Sequence, residues 1–318
     1  MITPRQTGRY MVSTITAGKN SPLRFRPFTF DSIPFLRSIL RNTSSRTCDF
    51  SIGGIYMWID YFDYTYCIFN DTLFIKGVTE DDVTRPAFSL PVGKMGLEES
   101  VPLLSDYCDS RHMSLQFSAV PEEALPILQE LGAVKVEQLE DWSDYLYSAE
   151  ALSTLSGKKL SKKRNHVNRF ITDNPGYIFE PLTADKVHAV KEFFDATHLP
   201  LSKPALADIE REQVKHVLDN LSRYPFEGAV LSTPTDGIVA FTIGEVLTDT
   251  LHVHIEKMNH KIPGAGETVN KLFAEMMTQR HPEILYINRQ EDVGDPGLRY
   301  AKESYHPLTL LHKYNVIF

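Results

Sequence analysis

A dense polar stretch of the chain is Asn288-Arg289-Gln290-Glu291-Asp292, followed by Gly294, Gly297-Leu298-Arg299, Lys302 and Ser304-Tyr305-His306-Pro307. Polar residues this close together, behind the apolar strand expected from Ile284 to Asn288, are costly to bury and are expected to line a cleft. Moving an acyl group to an amine needs a base for the amine proton, donors for the oxyanion and an acid for the leaving group. Glu291 or Asp292, Arg299 or Lys302, and Tyr305 supply those three types. Arg299 and Lys302 stand one helical turn apart, so both can project to one side and hold a carboxylate, phosphate or oxyanion. The same charges equally make an ion-pair network that stabilises a loop, and the sequence leaves the two readings level.

A second group lies between Thr250 and Met277. Leu251, Val253 and Ile255 alternate with His252, His254 and Glu256, the period of a strand with one buried face. Lys261, Gly264 and Gly266 then make K-x-x-G-x-G, and Val269, Leu272, Phe273, Met276 and Met277 follow at helical spacing. Strand, glycine turn and helix together form an expected anion site: glycine lets the backbone approach a ligand, and the first helical turn presents free N–H groups. Lys261, Gly264, Ala265, Gly266 and Asn270 are its candidate residues for binding a phosphate-bearing cofactor, although a helix start that merely needs glycine reads the same way. His254, Glu256, Lys257 and Asn288, beside the loop, are candidates for lining the acyl channel. His252, His254 and Glu256 share one strand face by geometry alone and have no further ligand spaced near them, so no metal is expected.

The third group is Lys158, Lys159, Lys162, Lys163, Arg164 and Arg169, in a segment from Gly157 to Phe170 that has no acid, inside a chain of net charge −8. At helical spacing such a run can neutralise phosphates of an RNA end; a solvated connector is the plainer reading.

The elements that must position these groups alternate between helix and strand. In the first half a short strand from Leu23 to Phe30 precedes a helix to Leu40 and a second helical stretch after Ile52. Tyr64 to Phe69 and Leu73 to Val78 flank the turn signal Asn70-Asp71. After Ser156 the pattern begins again: Phe25, Pro27, Thr29 and Asp31 recur as Phe179, Pro181, Thr183 and Asp185, a constant offset of 154 residues. The second half reads β-α-α-β-β-β-α-β-α-β, with helices over Lys186–Thr197 and Ala205–Leu221 and one last strand from Leu308 to Val316. An internal duplication with mixed α/β sheets follows. The expected division is a flexible tail over 1–22, a structural domain over 23–156 and a site-bearing domain over 157–318.

Composition adds exclusions. At 42% hydrophobic and 23% charged the chain is globular, and its net charge of −8 leaves room only for a local contact with a polyanion. Cys48, Cys67 and Cys108 form no C-x-x-C pair, which fits a reducing cytoplasm. No segment approaches the roughly 20 apolar residues of a membrane span.

The element order, with K-x-x-G-x-G between the fourth strand and its helix, resembles the GCN5-related N-acetyltransferase fold, whose loop holds the pyrophosphate of coenzyme A and usually carries Arg or Gln where this chain has Lys261. In the first half Gly93-Lys94-Met95-Gly96, followed by Glu98-Glu99, looks like a poorer anion site. Four longer motifs extend the resemblance over nearly the whole chain. They are G-K-K-L-x-K-K-R-N-H-x-N-x-F from Gly157, A-F-T-I-G-E from Ala240, H-I-E-K from His254 and I-N-R-x-x-D-x-G-x-x-G-L-R-x-A-K-x-S-Y-x-P from Ile287. Together they resemble the soluble C-terminal domain of phosphatidylglycerol lysyltransferases and, more distantly, Fem-type aminoacyltransferases. That resemblance implies two tandem acetyltransferase-like domains and transfer of an amino acid from aminoacyl-tRNA. The expectation is a cytoplasmic acyl or aminoacyl transferase using aminoacyl-tRNA or acyl-coenzyme A and a small-molecule or peptide acceptor. A coenzyme A-dependent N-acetyltransferase and a non-catalytic binding protein with the same cleft are its alternatives.

Overall fold

The computed structural model describes residues 21–198 and 206–318. The tail expected over 1–22 falls outside the described residues as far as residue 20, and so does Ala205 at the expected start of a helix.

The first half begins with β1 (Arg26–Pro27), α1 (Ile33–Leu40) and the short α2 (Ile52–Tyr56). The hairpin β2 (Thr65–Phe69) and β3 (Thr72–Val78) turns at Asn70 and Asp71, both at positive φ (47° and 55°), which suits two residues that tolerate left-handed backbone. Then come β4 (Pro86–Phe88), β5 (Val92–Gly93), α3 (Leu97–Asp109), β6 (Gln116–Pro121), α4 (Leu125–Glu130), β7 (Lys135–Gln138) and β8 (Asp144–Ser148). Two helices, α5 (Ala149–Thr154) and α6 (Ser161–Asp173), lead into the second half. That half runs β9 (Ile178–Pro181), α7 (Val187–Thr197), α8 (Leu206–Asp219), β10 (Glu227–Thr233), β11 (Gly237–Leu247), β12 (Thr250–Met258), α9 (Ala265–Arg280), β13 (Tyr286–Asn288), α10 (Pro296–Glu303), β14 (Thr309–Leu311) and β15 (Lys313–Ile317). The expected duplication is visible in this order: α1 and α7 begin 154 residues apart, at Ile33 and Val187.

Two mixed sheets result. The first has the order β1-β2-β3-β4-β6-β15-β7, with β5 on β3, and the second β9-β10-β11-β12-β13-β8-β14. Position by position the sheets correspond, including one parallel pair in each, β4 with β6 and β12 with β13. The exception is reciprocal. β15 inserts between β6 and β7, pairing Val316 with both Phe117 and Val136, while β8 inserts between β13 and β14, pairing Leu146 with both Asn288 and Thr309. Each half therefore lends its last strand to the other half's sheet.

This exchange corrects two expectations. The single strand expected from Leu308 to Val316 is two strands, parted at His312 and belonging to different sheets. Sheet membership also departs from a boundary at residue 156, since Asp144–Ser148 lies in the second sheet and Lys313–Ile317 in the first. Tandem placement hides the exchange from periodicity, because alternation along a strand identifies its buried face and not the sheet that receives it.

The core is likewise shared. One apolar cluster joins Leu36, Leu40, Ile55 and Met57 of the first half to Phe194, Val217, Phe241 and Ile243 of the second. A second lies under the first sheet around Phe74, Phe117 and Val316, and a third packs Tyr145, Tyr147, Phe273 and Tyr305 together in the second. At the junction Gly53 is held by close approach: a Cβ there would stand 2.3 Å from the His254 imidazole.

Candidate functional site

β12 and β13 pair only from Thr250 to His252 against Tyr286 to Asn288. Beyond His252, β12 stays with β11 alone, while the other chain leaves through a loop in which Gln290 and Val293 take positive φ. The two segments part there, the position expected of a cleft. Arg289 Nη2 donates to Glu256 Oε1 at 2.7 Å and Asn270 Nδ2 to Glu256 Oε2 at 3.0 Å. The guanidinium stands 4.8 Å from the Tyr305 ring centroid, with Tyr147 beyond it at 5.8 Å. Burial alone would make the Arg289 guanidinium easier to deprotonate, but the Glu256 charge and hydrogen bond together with Tyr147 and Tyr305 outweigh it and raise its pKa. Two atoms of this group, Arg289 Nη1 and Asn270 Oδ1, are buried without a hydrogen-bond partner.

The glycine loop borders this cleft, but a helix already covers its turn. Gly264 caps α9 at φ 81°, and a Cβ there would stand 2.5 Å from the His166 carbonyl oxygen of α6. Glu267, in the first turn of α9, lies 3.0 Å from His166 Nδ1 and 3.4 Å from Lys163 Nζ; burial would raise its pKa, but its backbone hydrogen bond and these two partners outweigh burial and hold it low. The protein's own carboxylate thus stands at the helix N-terminus where an anion was expected. Lys163 Nζ also lies 4.2 Å over the Tyr305 ring, which joins Tyr305 to this end of the cleft. Lys261 is exposed, its N–H bonded to Asn259 Oδ1, and Ala265 is fully buried in the contact with α6.

α10 departs from expectation. Lys302 is only 6% exposed, and its ammonium donates to the carbonyl oxygens of Arg289 (2.6 Å), Gln290 (3.0 Å) and Glu291. Burial brings its pKa down to about 8. Arg299 grips Asp292 through Nε (2.9 Å) and Nη2 (2.8 Å) and reaches Asp141 at 2.8 Å, while the Tyr145 hydroxyl donates to Asp292 at 2.6 Å. Burial would raise the Asp292 pKa, but these donors outweigh it and lower it. The two cations therefore do not share one anion: three carbonyls of the loop converge on Lys302 beneath it, and Arg299 is held at the rim. Asp292 is fully engaged in fixing the loop.

Glu291 has a different setting, and it belongs to a group that the sequence did not mark. Lys313, on the exchanged strand β15, is 1% exposed; its Nζ lies 2.9 Å from Asp49, 2.9 Å from Asp144 and 3.8 Å from Glu291. Cys48 Sγ is 3.5 Å from Lys313 Nζ and also from a Glu291 oxygen. Asp144 further accepts from the Cys48 N–H at 2.6 Å and from Asn288 Nδ2 at 2.7 Å. Burial pushes the Glu291 carboxyl up to about 7, Lys313 holding it down and Asp144 and Asp49 pushing it further up. Among the described residues Cys48, Asp49 and Asp144 bring ligand atoms within 4.8 Å of one another, the spacing of a metal site, but the Lys313 ammonium stands where the cation would be. The signal in the sequence was a charged residue inside an apolar strand, Lys313 before Tyr314-Asn315-Val316-Ile317 and Asp144 before Tyr145-Leu146-Tyr147.

Among the remaining candidates, His254 accepts from Gln290 Nε2 at 2.8 Å on Nδ1 and donates from Nε2 to Glu245 Oε1 at 3.1 Å; Glu245 also takes the Gly53 N–H at 2.7 Å. Its neighbour His252 is buried, and burial lowers its pKa to about 4. Lys257 pairs with Glu210 of α8 at 2.5 Å. In the basic segment Lys158, Lys159 and Lys162 are exposed and have no ion pair among the described residues. Lys163 turns into the cleft, Arg164 donates to the carbonyls of Leu155 (2.5 Å) and Gly157 (3.2 Å), and Arg169 pairs with Asp173.

Residues 40–317 match the family of the phosphatidylglycerol lysyltransferase C-terminal domain. A conserved protein of unknown function from Bacteroides thetaiotaomicron VPI-5482 is 28% identical, superimposes with a TM-score of 0.85, and the match covers 93% of this chain and 99% of that one. The C-terminal domain of a putative lysylphosphatidylglycerol synthetase from Agrobacterium fabrum is 16% identical with a TM-score of 0.61, over 90% and 91% of the two chains. FemX shares the fold at a TM-score of 0.59 and 9% identity, over 93% and 97%. The uncharacterised protein MYCGA3080 of Mycoplasmoides gallisepticum is 23% identical over 181 residues, and the chain spans only 56% of that relative's length. Among the described residues no helix is long and apolar enough to cross a membrane.

Proposed function

Because the chain belongs to the family of the phosphatidylglycerol lysyltransferase C-terminal domain, we propose that it transfers an amino acid from aminoacyl-tRNA to an amine or hydroxyl acceptor. The observation that carries this reading is the pair of unpartnered atoms in the cleft. Arg289 Nη1 is a donor and Asn270 Oδ1 an acceptor, and their residues hold opposite oxygens of one carboxylate, Glu256. An α-aminoacyl ester presents the complement of that pair: a carbonyl oxygen to accept from Arg289 and an α-ammonium to donate to Asn270 beside the Glu256 charge. An acetyl group has no ammonium for the second place. The Glu267 carboxylate at the start of α9 also disfavours a pyrophosphate there, which weighs against a coenzyme A donor.

The chemistry then falls to Glu291. The acceptor X–H gives its proton to the Glu291 carboxylate, X attacks the ester carbonyl carbon, and the C–X bond forms as the bond from that carbon to the tRNA 3′ oxygen breaks. Arg289 stabilises the oxyanion in between. The 3′ oxygen leaves with a proton returned from Glu291 or delivered from Tyr305, whose buried hydroxyl stays protonated because its pKa is raised. In this reading 157–318 supplies the cleft and 23–156 is the supporting domain, lending Cys48 and Asp49 to the surroundings of the base.

The deciding experiment incubates the protein with tRNA charged with radiolabelled amino acids and a mixture of amine and hydroxyl acceptors. Label is expected to move into acceptor faster than it is lost by spontaneous hydrolysis, and acetyl-coenzyme A to be inert. Consumption of acetyl-coenzyme A with every charged tRNA untouched would overturn the proposal.

Exposed Lys158 and Lys159, in the turn just before α6, and Lys162 on α6 stand next to Lys163, which reaches Tyr305 of the same cleft. Binding of the single-stranded acceptor end should weaken steeply with salt, and replacing these three lysines by alanine should flatten the slope of log K against log salt by roughly 2, at about 0.7 per phosphate contact. A filter-binding titration measures this, and an unchanged slope would make the segment a solvated connector.

A further inference from the structure

Behind Glu291, on the side facing the first half, lies a narrow cavity of about 30 Å³ lined by Trp58, Phe62, Tyr64 and Trp142, with Glu80 and Glu291 at its inner end. Glu80 is 7% exposed and lines the cavity, and its carboxyl has no hydrogen-bond or ion-pair partner among the described residues; only its N–H is engaged, by Ser118 Oγ. Asp49, Asp144 and Glu291 share the single ammonium of Lys313, and the other nearby lysine, Lys302, is spent on backbone carbonyls. The space thus has more acid than base at its floor and four aromatic rings for walls. Such a site suits a cation, which gains from the ring faces and from an unneutralised carboxyl together. Burial, reinforced by Asp49, holds the Glu80 carboxyl well above its usual range, as expected of an acid that lacks a cation.

We propose that this cavity binds the ammonium end of a primary amine and that this amine is the acceptor of the transfer. The second clause rests on the transferase reading above; the first does not. A cavity of this size admits an ammonium and its first methylenes, so the rest of the acceptor must extend outward past Trp142 and Val293. The amine nitrogen then lies beside Glu291, which takes the first ammonium proton to free the lone pair and releases it to solvent, while the second proton, lost from nitrogen as the C–N bond forms, passes by way of Tyr305 to the leaving 3′ oxygen; Glu291 follows Arg289 of the cleft by two residues. An anionic glycerophospholipid hydroxyl finds no matching charge here, so the acceptor class is a cationic amine instead.

The protein's two tryptophans, Trp58 and Trp142, both line the cavity, so intrinsic fluorescence reports on it directly. Titration of the full chain with n-butylamine, n-butanol and butyrate at pH 8 is the test. A saturable emission change is expected with butylamine, at least about tenfold tighter than with butanol and absent with butyrate. Glu80→Gln should weaken butylamine binding by about tenfold while leaving the thermal transition in place, and Glu80→Asp should recover part of it. Equal response to butylamine and butanol would make the cavity a plain apolar slot, and preference for butyrate would make Lys313 its anchor. Either result overturns the proposal, as does an unchanged affinity in Glu80→Gln; the selectivity among the three probes decides the matter even if a variant fails to fold. Butylamine binding without transfer from any charged tRNA would leave the cation site standing and remove the transferase reading. Transfer to acceptors in a protein blind to butylamine would do the reverse.

Discussion

Lys313→Met is expected to lower the free energy of unfolding by about 3–5 kcal/mol, measured by urea denaturation at pH 7, because it leaves Asp49 and Asp144 buried without their cation. Methionine fills nearly the same volume, so little of the loss comes from a cavity. The deficit should depend on pH with a definite sign. Burial would raise the Asp144 pKa, but Lys313 and the hydrogen bonds from Asn288 and the Cys48 N–H outweigh it, so the folded value is lowered. A lowered acid contributes stability that is present above its unfolded pKa, about 3.9, and lost as pH falls. The native protein therefore keeps this contribution down to about pH 4 and loses it below, whereas the variant lacks the cation that supplies it, and the gap between them should narrow as pH falls below about 4. Adding Asp144→Asn to Lys313→Met should restore part of the stability at pH 7. A loss below about 1 kcal/mol for the single variant would show that water reaches this cluster and screens it.

The second large effect concerns turnover. Glu291→Gln keeps the shape of the side chain and removes the proposed base, and kcat for the proposed transfer is expected to fall by about 10²–10⁴-fold. The native pH profile should rise with an apparent pKa of about 7, because Glu291 must lose its proton to act and burial has moved that loss up from the usual carboxylate range. That limb should vanish in the variant. Stability should move the other way: an acid whose folded pKa is raised costs the native state increasingly as pH climbs from the unfolded value near 4.3 to about 7, so the glutamine variant should gain on the native protein over that window. Asp292→Asn is the control. Asp292 is held by Arg299 and Tyr145, so its loss should loosen the loop and lower the melting temperature while the limb near pH 7 remains. A native rate independent of pH between 5 and 9 would remove Glu291 from the base position.

Much of the architecture was legible from local pattern. The recurrence of Phe25, Pro27, Thr29 and Asp31 at Phe179, Pro181, Thr183 and Asp185 disclosed the duplication, and the strand–glycine–helix order at Lys261 to Met277 located α9 and its αL cap at Gly264. Beside the polar stretch after Asn288, the Tyr305 ring centroid stands 4.8 Å from the Arg289 guanidinium and Asn270 bonds Glu256. What the sequence withheld was direction. Arg299 and Lys302 have the spacing of one helix face, yet one lies at the rim and the other beneath the loop, because the deciding partners are backbone carbonyls of residues 289–291, which no side-chain pattern records. Arg289, the cation that does face the cleft, was passed over as one more charge in a polar run. Cys48, Asp49, Asp144 and Lys313 could not be joined on paper either, since they come from three distant stretches that meet only where strands change sheets.

The exchange of β8 and β15 bears on how the chain comes off the ribosome. A duplicated protein in plain tandem can finish its first half while the second is still being made, and this one cannot. Until synthesis has passed Ile317, β6 and β7 have no strand between them, and the first sheet carries an open slot whose N–H and C=O groups are unpaired. Meanwhile β8 waits for β13 and β14, which do not yet exist. The nascent first half must therefore remain a loosely held intermediate, exposed to pairing with a neighbouring copy and suited to capture by a chaperone. Closure of the slot by β15 is also the step that brings Lys313 to Asp49 and Asp144. Strand insertion, neutralisation of the buried acids and completion of both halves are consequently one event, and a nascent chain stopped anywhere before it should be as sensitive to protease in its first half as in its second.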